Sequence, residues 1–189
     1  MTPRSGPFRS DAAHQAILRA TADLLAERGY DHLSIEGIAA RAGVGKQTIY
    51  RWWPSKGELI AECLLEGMLF DDRLLPPDTG DIRRDLATWL DHIFALLTSE
   101  EGEGALRSVI AAAAEHAEVG RRLRDSISGS GTISGRLSRA IGTVPNLPAG
   151  APVDEITNTL IGAVILKALS RTPIVPGEID RLLVAVLGR

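Results

Sequence analysis

The chain has 189 residues, 44% of them hydrophobic and 24% charged, with a formal net charge of −3. That length and mix suit a globular protein of one or two small domains with enough apolar side chains to bury a core. The strongly apolar stretches around 156–169 and 182–187 are interrupted by Lys167 or fall short of the ~18–20 residues that cross a bilayer, so no membrane span is expected.

The opening MTPRSGPFRS has no apolar h-region, which argues against a secretory signal. The single cysteine, Cys63, has no partner for an internal disulfide, and a lone thiol makes the cytoplasm the expected compartment. Charge is uneven: residues 1–60 hold 8 Lys/Arg against 6 Asp/Glu, a net of +2, and the remaining residues hold 13 against 18, a net of −5. Five of the eight aromatic residues also fall in those first 60 positions. A short basic, aromatic-rich front and a longer acidic, aliphatic back suggest two different tasks.

In chain order, residues 1–10 read as a flexible arm, and Asp11 can cap a helix carrying Ala13, Ile17, Ala20, Leu24 and Leu25 on one face. Gly29 is its expected stop. Ser34 caps a second helix through Ile35, Ile38, Ala39 and Ala42, which Gly43 ends. A short helix over 46–53 is limited by Pro54, and Ser55 caps a fourth running toward Phe70. Leu75–Gly80 has the composition of a loop. Asp81 can cap a long helix with Ile82, Leu86, Trp89, Ile93 and Leu97 on one stripe, and the alanine run in 103–115 favours another. Residues 118–141 read as one weak helix, broken near 129–131. A loop over 145–152 precedes two last helices, 153–170 and about 176–187. No segment alternates as a strand does, so the expected fold is all-α, with about nine helices.

Enzyme signatures are missing. There is no HExxH, GxSxG or SxxK, and the four histidines never pair at helical spacing, so neither a catalytic nor a metal site is expected and no cofactor is implied. Gly43-Val44-Gly45-Lys46-Gln47-Thr48 fails as a phosphate loop on spacing and lacks a preceding strand. The informative stretch is Ser34–Leu59. Two short helices around a tight Gly turn form a helix-turn-helix, whose second helix can lie in a DNA major groove with its N-terminal residues at base edges. That helix carries Lys46, Gln47, Thr48, Tyr50, Arg51 and Trp52, while Val44, Ile49 and Trp53 supply its apolar side. Lys56, beside Ser55 at the next helix start, can meet a phosphate.

The run from Ser34 to Leu59 resembles the DNA-binding domain of the TetR (tetracycline repressor-like) transcriptional regulators, the likeness extending over about residues 11–63. The cap, the Gly turn, Tyr50, the aromatic Trp53 and Lys56 all occur in register. Gly45 departs from the usual Ser-like cap, and Trp52 stands where His or Tyr is frequent. The resemblance implies a homodimeric repressor: a three-helix DNA-binding domain over 11–70, then a helical domain over 71–189 that binds a small effector and dimerises through its last two helices. It implies Ser34, Thr48, Tyr50, Trp52 and Lys56 at phosphates, and Lys46, Gln47 and Arg51 at bases of a double-stranded operator.

Both final helices are apolar around most of their circumference, which independently calls for burial against a second subunit. Leu160, Val164 and Leu183 are the expected interface residues. Trp89, Ile93, Phe94 and Leu97, with Ile110 and Ile127 on neighbouring helices, are expected to line a mainly apolar effector pocket. The rival reading is a helical enzyme or small-molecule carrier that uses a C-terminal cavity.

Overall fold

The computed structural model describes residues 7–69, 74–99, 102–126, 131–143 and 147–188, with side chains from Asp11 onward. Among these residues all regular structure is helical: α1 (Pro7–Arg28), α2 (Ile35–Ala42), α3 (Lys46–Trp52), α4 (Lys56–Leu65), α5 (Ile82–Thr98), α6 (Gly102–Glu115), α7 (Ala117–Ser126), α8 (Ile133–Ala140), α9 (Val153–Ser170) and α10 (Glu178–Leu187). The all-α expectation holds, with ten helices where about nine were expected. The difference arises in the weak segment, which forms two helices, α7 and α8, with 127–130 between them outside the described residues.

Local chemistry explains several boundaries. The Ser34 hydroxyl accepts from the Gly37 amide at 3.1 Å, satisfying one of the amides a helix start leaves free. Gly43 closes α2 at φ +68°, a left-handed conformation in which glycine carries no Cβ penalty. Ser55 and Asp81 cap α4 and α5 in the same manner as Ser34, accepting from the amides of Glu58 and Arg84. Two ends differ from expectation. Helix α1 begins at Pro7, taking up part of the expected arm, and Asp11 lies inside it rather than capping it. Proline suits a first turn, where its missing N–H would have had no partner. Helix α4 stops at Leu65, and Gly67 turns the chain at φ +69°, short of the expected Phe70.

The chain divides into two compact units, one holding residues up to 70 together with 100–119, the other holding 71–99 and 120–189. In the first, α1 packs on α2 and α4, α2 on α3, and α4 on α6. Its core is built from Ile17, Leu18, Leu25, Ile38, Ile49, Leu59 and Ile60, all buried. The expected 11–70 domain therefore shares its unit with α6, which lies beyond it in sequence. Glycines permit that packing: a Cβ on Gly104 would stand 2.5 Å from Cδ1 of Tyr30, and one on Gly57 would stand 3.1 Å from the Ser108 hydroxyl. In the second unit α5 packs against α8, α9 and α10 around Leu86, Leu90, Leu137, Leu160 and Leu183. Among the described residues no helix is long and apolar enough to cross a membrane.

Candidate nucleic-acid interface

Helix α3 is seven residues long and has two unlike faces. Ile49 (0% exposed) and Trp53 (2%) turn into the first unit's core, so Lys46, Gln47, Tyr50 and Arg51 are left outside, with Tyr50 47% exposed. At its start Gly45 offers no side-chain cap, and the first bond within the turn runs from the Thr48 amide to the Gly45 carbonyl at 2.9 Å.

The C-terminal end of α3 is held more firmly. Trp53 leaves the helix with extended geometry, ahead of Pro54, and its indole Nε1 donates to Glu62 Oε2 of α4 at 2.7 Å. His14 of α1 lies 3.1 Å from the other Glu62 oxygen and packs on both tryptophans, with ring centroids 4.7 Å from Trp53 and 5.3 Å from Trp52. Trp52 is therefore half-buried in an aromatic cluster, and the Arg51 guanidinium lies 4.9 Å from its ring centre. Neither His14 nor Glu62 was singled out in the sequence. The signal available was Trp53 itself, because a buried indole N–H requires an acceptor.

Two cations on this surface carry acidic partners. Arg41 grips Glu27 with two hydrogen bonds of 2.9 and 2.7 Å, and Lys46 Nζ lies 2.8 Å from Glu36 Oε1. The hydrogen bond from Lys46 holds the Glu36 carboxyl below its ordinary range, and the same bond raises Lys46. Lys56 is placed differently again. Its ammonium donates to the carbonyls of Tyr30 (3.3 Å) and Leu33 (3.1 Å) and sits 3.8 Å from the centre of the Tyr30 ring. Two of its three N–H groups are thus directed at the backbone between α1 and α2, which leaves one for another acceptor. Of the residues expected at DNA, the structure exposes Lys46, Gln47, Tyr50 and Arg51 on α3, half-buries Thr48 and Trp52 on the same helix, sets Ser34 at the cap of α2 and ties Lys56 to the α1–α2 connection.

In the second unit Trp89, Ile93, Phe94 and Leu97 are buried on α5, and the Trp89 indole donates to the Leu74 carbonyl at 3.0 Å. Ile110 is half-buried on α6 of the first unit, and Ile127 lies outside the described residues. Leu160 and Leu183 sit in the unit's own core and Val164 is half-buried. The large apolar side chains that α9 and α10 leave outside are Leu166 (68% exposed), Leu169 (59%) and Val184 (40%). Between these helices the Lys167 ammonium holds both oxygens of Glu178, at 2.7 and 2.8 Å, and the Pro173 carbonyl at 2.8 Å. Cys63 is buried, and burial pushes its thiol up to about 12, so at neutral pH it is an unreactive core group.

Comparison with known proteins agrees with this arrangement. Residues 17–63 match the family of bacterial regulatory proteins described as the tetR family, and residues 76–186 match the tetracyclin repressor-like C-terminal domain. The HTH-type transcriptional regulator YdeS of Bacillus subtilis is 41% identical over 102 residues, which cover 54% of this chain and 50% of YdeS. The DNA-binding transcriptional repressor TetR of Mycobacteroides abscessus is 38% identical over 79 residues, 41% of this chain and 40% of that protein. The chain thus spans about half the length, or less, of the curated relatives it matches. The crystal structure of the TetR family transcription regulator SCO0332 superposes with a TM-score of 0.72 at 29% identity, covering 94% of this chain and 98% of that one. With a helix-turn-helix at its front and the family's C-terminal domain matched over more than half its residues, the chain belongs to the tetracycline repressor (TetR) family of transcriptional regulators.

Proposed function

We propose that this protein is a cytoplasmic, homodimeric repressor that binds a double-stranded operator and is released from it by a small, mainly apolar effector. The observation that carries the DNA-binding part is the two-faced α3, in which buried Ile49 and Trp53 force Lys46, Gln47, Tyr50 and Arg51 outward. On this reading Lys46, Gln47 and Arg51 meet base edges, while Thr48, Tyr50, Trp52 and the free hydroxyl hydrogen of Ser34 meet phosphates. Lys56 contributes its remaining N–H and, through Tyr30 and Leu33, holds the α1–α2 connection in place. The repressor sign follows the mycobacterial relative, whose name describes it as a repressor.

Dimerisation is assigned to Leu166, Leu169 and Val184, because Leu160 and Leu183 are already consumed by the protomer's own core. Two copies would set their α3 helices against half-sites roughly 34–36 Å apart, and an effector favouring another spacing would weaken the fit. The buried aromatic and aliphatic face of α5, with Trp89, Ile93, Phe94 and Leu97, supports an apolar effector.

Band shifts with the full chain on the DNA upstream of its own gene test the reading. Gln47→Ala should cost about 1–3 kcal/mol on the cognate operator and much less on random duplex, since an amide in the first turn of α3 matches adenine's donor and acceptor. Equal losses on both duplexes would overturn α3 as the reading helix. No specific shift at all would favour the helical enzyme or carrier.

A further inference from the structure

Two acids stand on this cationic surface, Glu27 paired with Arg41 and Glu36 paired with Lys46, and only the second pair involves the outward row of α3. Glu36 lies in the first turn of α2, with its side chain 66% exposed, and its Oε1 is 2.8 Å from Nζ of Lys46, the first residue of α3, whose own side chain is 52% exposed. Stability does not account for the pair, because solvent-exposed ion pairs contribute little. General affinity for DNA does not account for it either: the carboxylate occupies a lysine that could otherwise release a counterion at a phosphate, and it repels phosphates itself.

Held together, however, the two groups present a cationic donor and an anionic acceptor side by side, next to Gln47. The major-groove edge of a G·C pair shows guanine N7 and O6, both acceptors, followed by the cytosine N4 amino donor. An ammonium fits the first two and a carboxylate fits the third. In an A·T pair the group beyond the adenine amino donor is thymine O4, an acceptor that repels a carboxylate, and then a methyl group.

We propose that Glu36 and Lys46 act as a paired reader of one G·C base pair in each half-site, which makes Glu36 a specificity-determining residue that also disfavours non-cognate DNA. The inference rests on the DNA-binding reading above and adds to it a residue and a base identity. On the cognate site the pair keeps its own contact and both members gain a partner. On random DNA Lys46 must leave Glu36 for a phosphate while the carboxylate stays beside the backbone, so weak sites are penalised more than the correct one.

The test selects bound duplexes from a random library with the full-length wild type, Glu36→Ala and Lys46→Ala, and then measures affinities on the selected operator and on random duplex across a salt series. The wild type should select one G·C pair per half-site whose replacement by A·T weakens binding roughly 5- to 150-fold. Both variants should lose that preference and keep the one set by Gln47. Glu36→Ala should also bind random duplex several-fold more tightly, with a salt slope steeper by about one unit per subunit as Lys46 is freed. If Glu36→Ala selects the same sequence with the same penalty at every position, or binds random duplex more weakly, the paired reader is wrong. If the wild type selects no sequence, the DNA-binding reading itself fails, a result distinct from either of those.

Discussion

Around α2 and α3 the fold covers Ile38, Ile49 and Trp53 and turns charged and amide side chains outward. Around α9 and α10 it draws a charged clasp inward, with the Lys167 side chain only 9% exposed, and turns Leu166, Leu169 and Val184 outward. The α9–α10 surface departs from the usual exterior by exposing leucines, the α2–α3 surface by exposing Tyr50 among its polar groups, and each indicates what it awaits. Cations, amides and an exposed tyrosine suit a polyanion with readable edges, whereas exposed leucines on a pair of packed helices suit another apolar surface. A helix turned inside out relative to its composition is therefore informative only once its own core is known.

The largest expected effect separates inside from outside on α9. Leu160→Ala should lower protomer stability by about 2–5 kcal/mol, because it removes a fully buried side chain and leaves a cavity. Leu166→Ala combined with Leu169→Ala should leave the protomer within about 0.5 kcal/mol of wild type for each change, yet shift the sedimentation equilibrium toward monomer. Denaturant unfolding together with sedimentation distinguishes the two, and equal behaviour of the inner and outer leucines would erase the contrast between the surfaces.

Much of this pattern could be read locally. Ser34, Gly43, Ser55 and Asp81 announce helix ends through their own side chains or backbone preference, and the apolar Ile49 within α3, with Val44 before it and Trp53 after it, makes the outward row apparent from the sequence. What stayed hidden depends on distant chain. Periodicity cannot tell Leu160 and Leu183, used by the protomer, from Leu166 and Leu169, because a helix apolar on every side gives the same signal for both. Nothing near Lys56 reveals that the carbonyls of Tyr30 and Leu33 come to meet it. The partners of Trp53 and Lys46 likewise sit on other helices, so the outward residues were legible and the contacts that set their posture were not.

A middle-sized effect concerns how α2 is held for DNA. Ser34→Ala removes the acceptor for the Gly37 amide and should cost about 1 kcal/mol of stability. Operator affinity should fall with it, and Ser34→Asp, which restores a cap but adds negative charge, should recover stability without recovering affinity. Thermal melts and band shifts on the same samples check both, and recovery of the two together would remove Ser34 from the phosphate contacts.

The smallest effect belongs to the clasp between α9 and α10. The hydrogen bond from Lys167, followed by that from the Val175 amide, holds the Glu178 carboxyl below its ordinary value of 4.5. A carboxylate depressed in the folded state adds stability that is complete above its ordinary value and is lost as pH falls through that value toward the folded one. Melting temperatures of wild type and Glu178→Gln should therefore differ by a constant amount at neutral pH and converge below about pH 4.5. A difference that persists unchanged into acid would show that the clasp is not electrostatic.

The place of α6 bears on whether this regulator can be taken apart and recombined. Although it follows α5 in sequence, it packs on α4, with Gly104 against the Tyr30 ring and Gly57 against Ser108. A hybrid repressor made by joining residues up to 70 to a foreign effector domain would inherit a half-finished module, since the face of α4 that meets α6 would be offered to whatever helix the new partner supplies. Only a partner with glycine opposite Tyr30 could seat there without a shift, because a Cβ at that place would stand 2.5 Å from the ring. The exchangeable part is thus discontinuous in sequence, and graft points that keep 102–115 with α1–α4 should yield stable hybrids where a single cut at residue 70 does not.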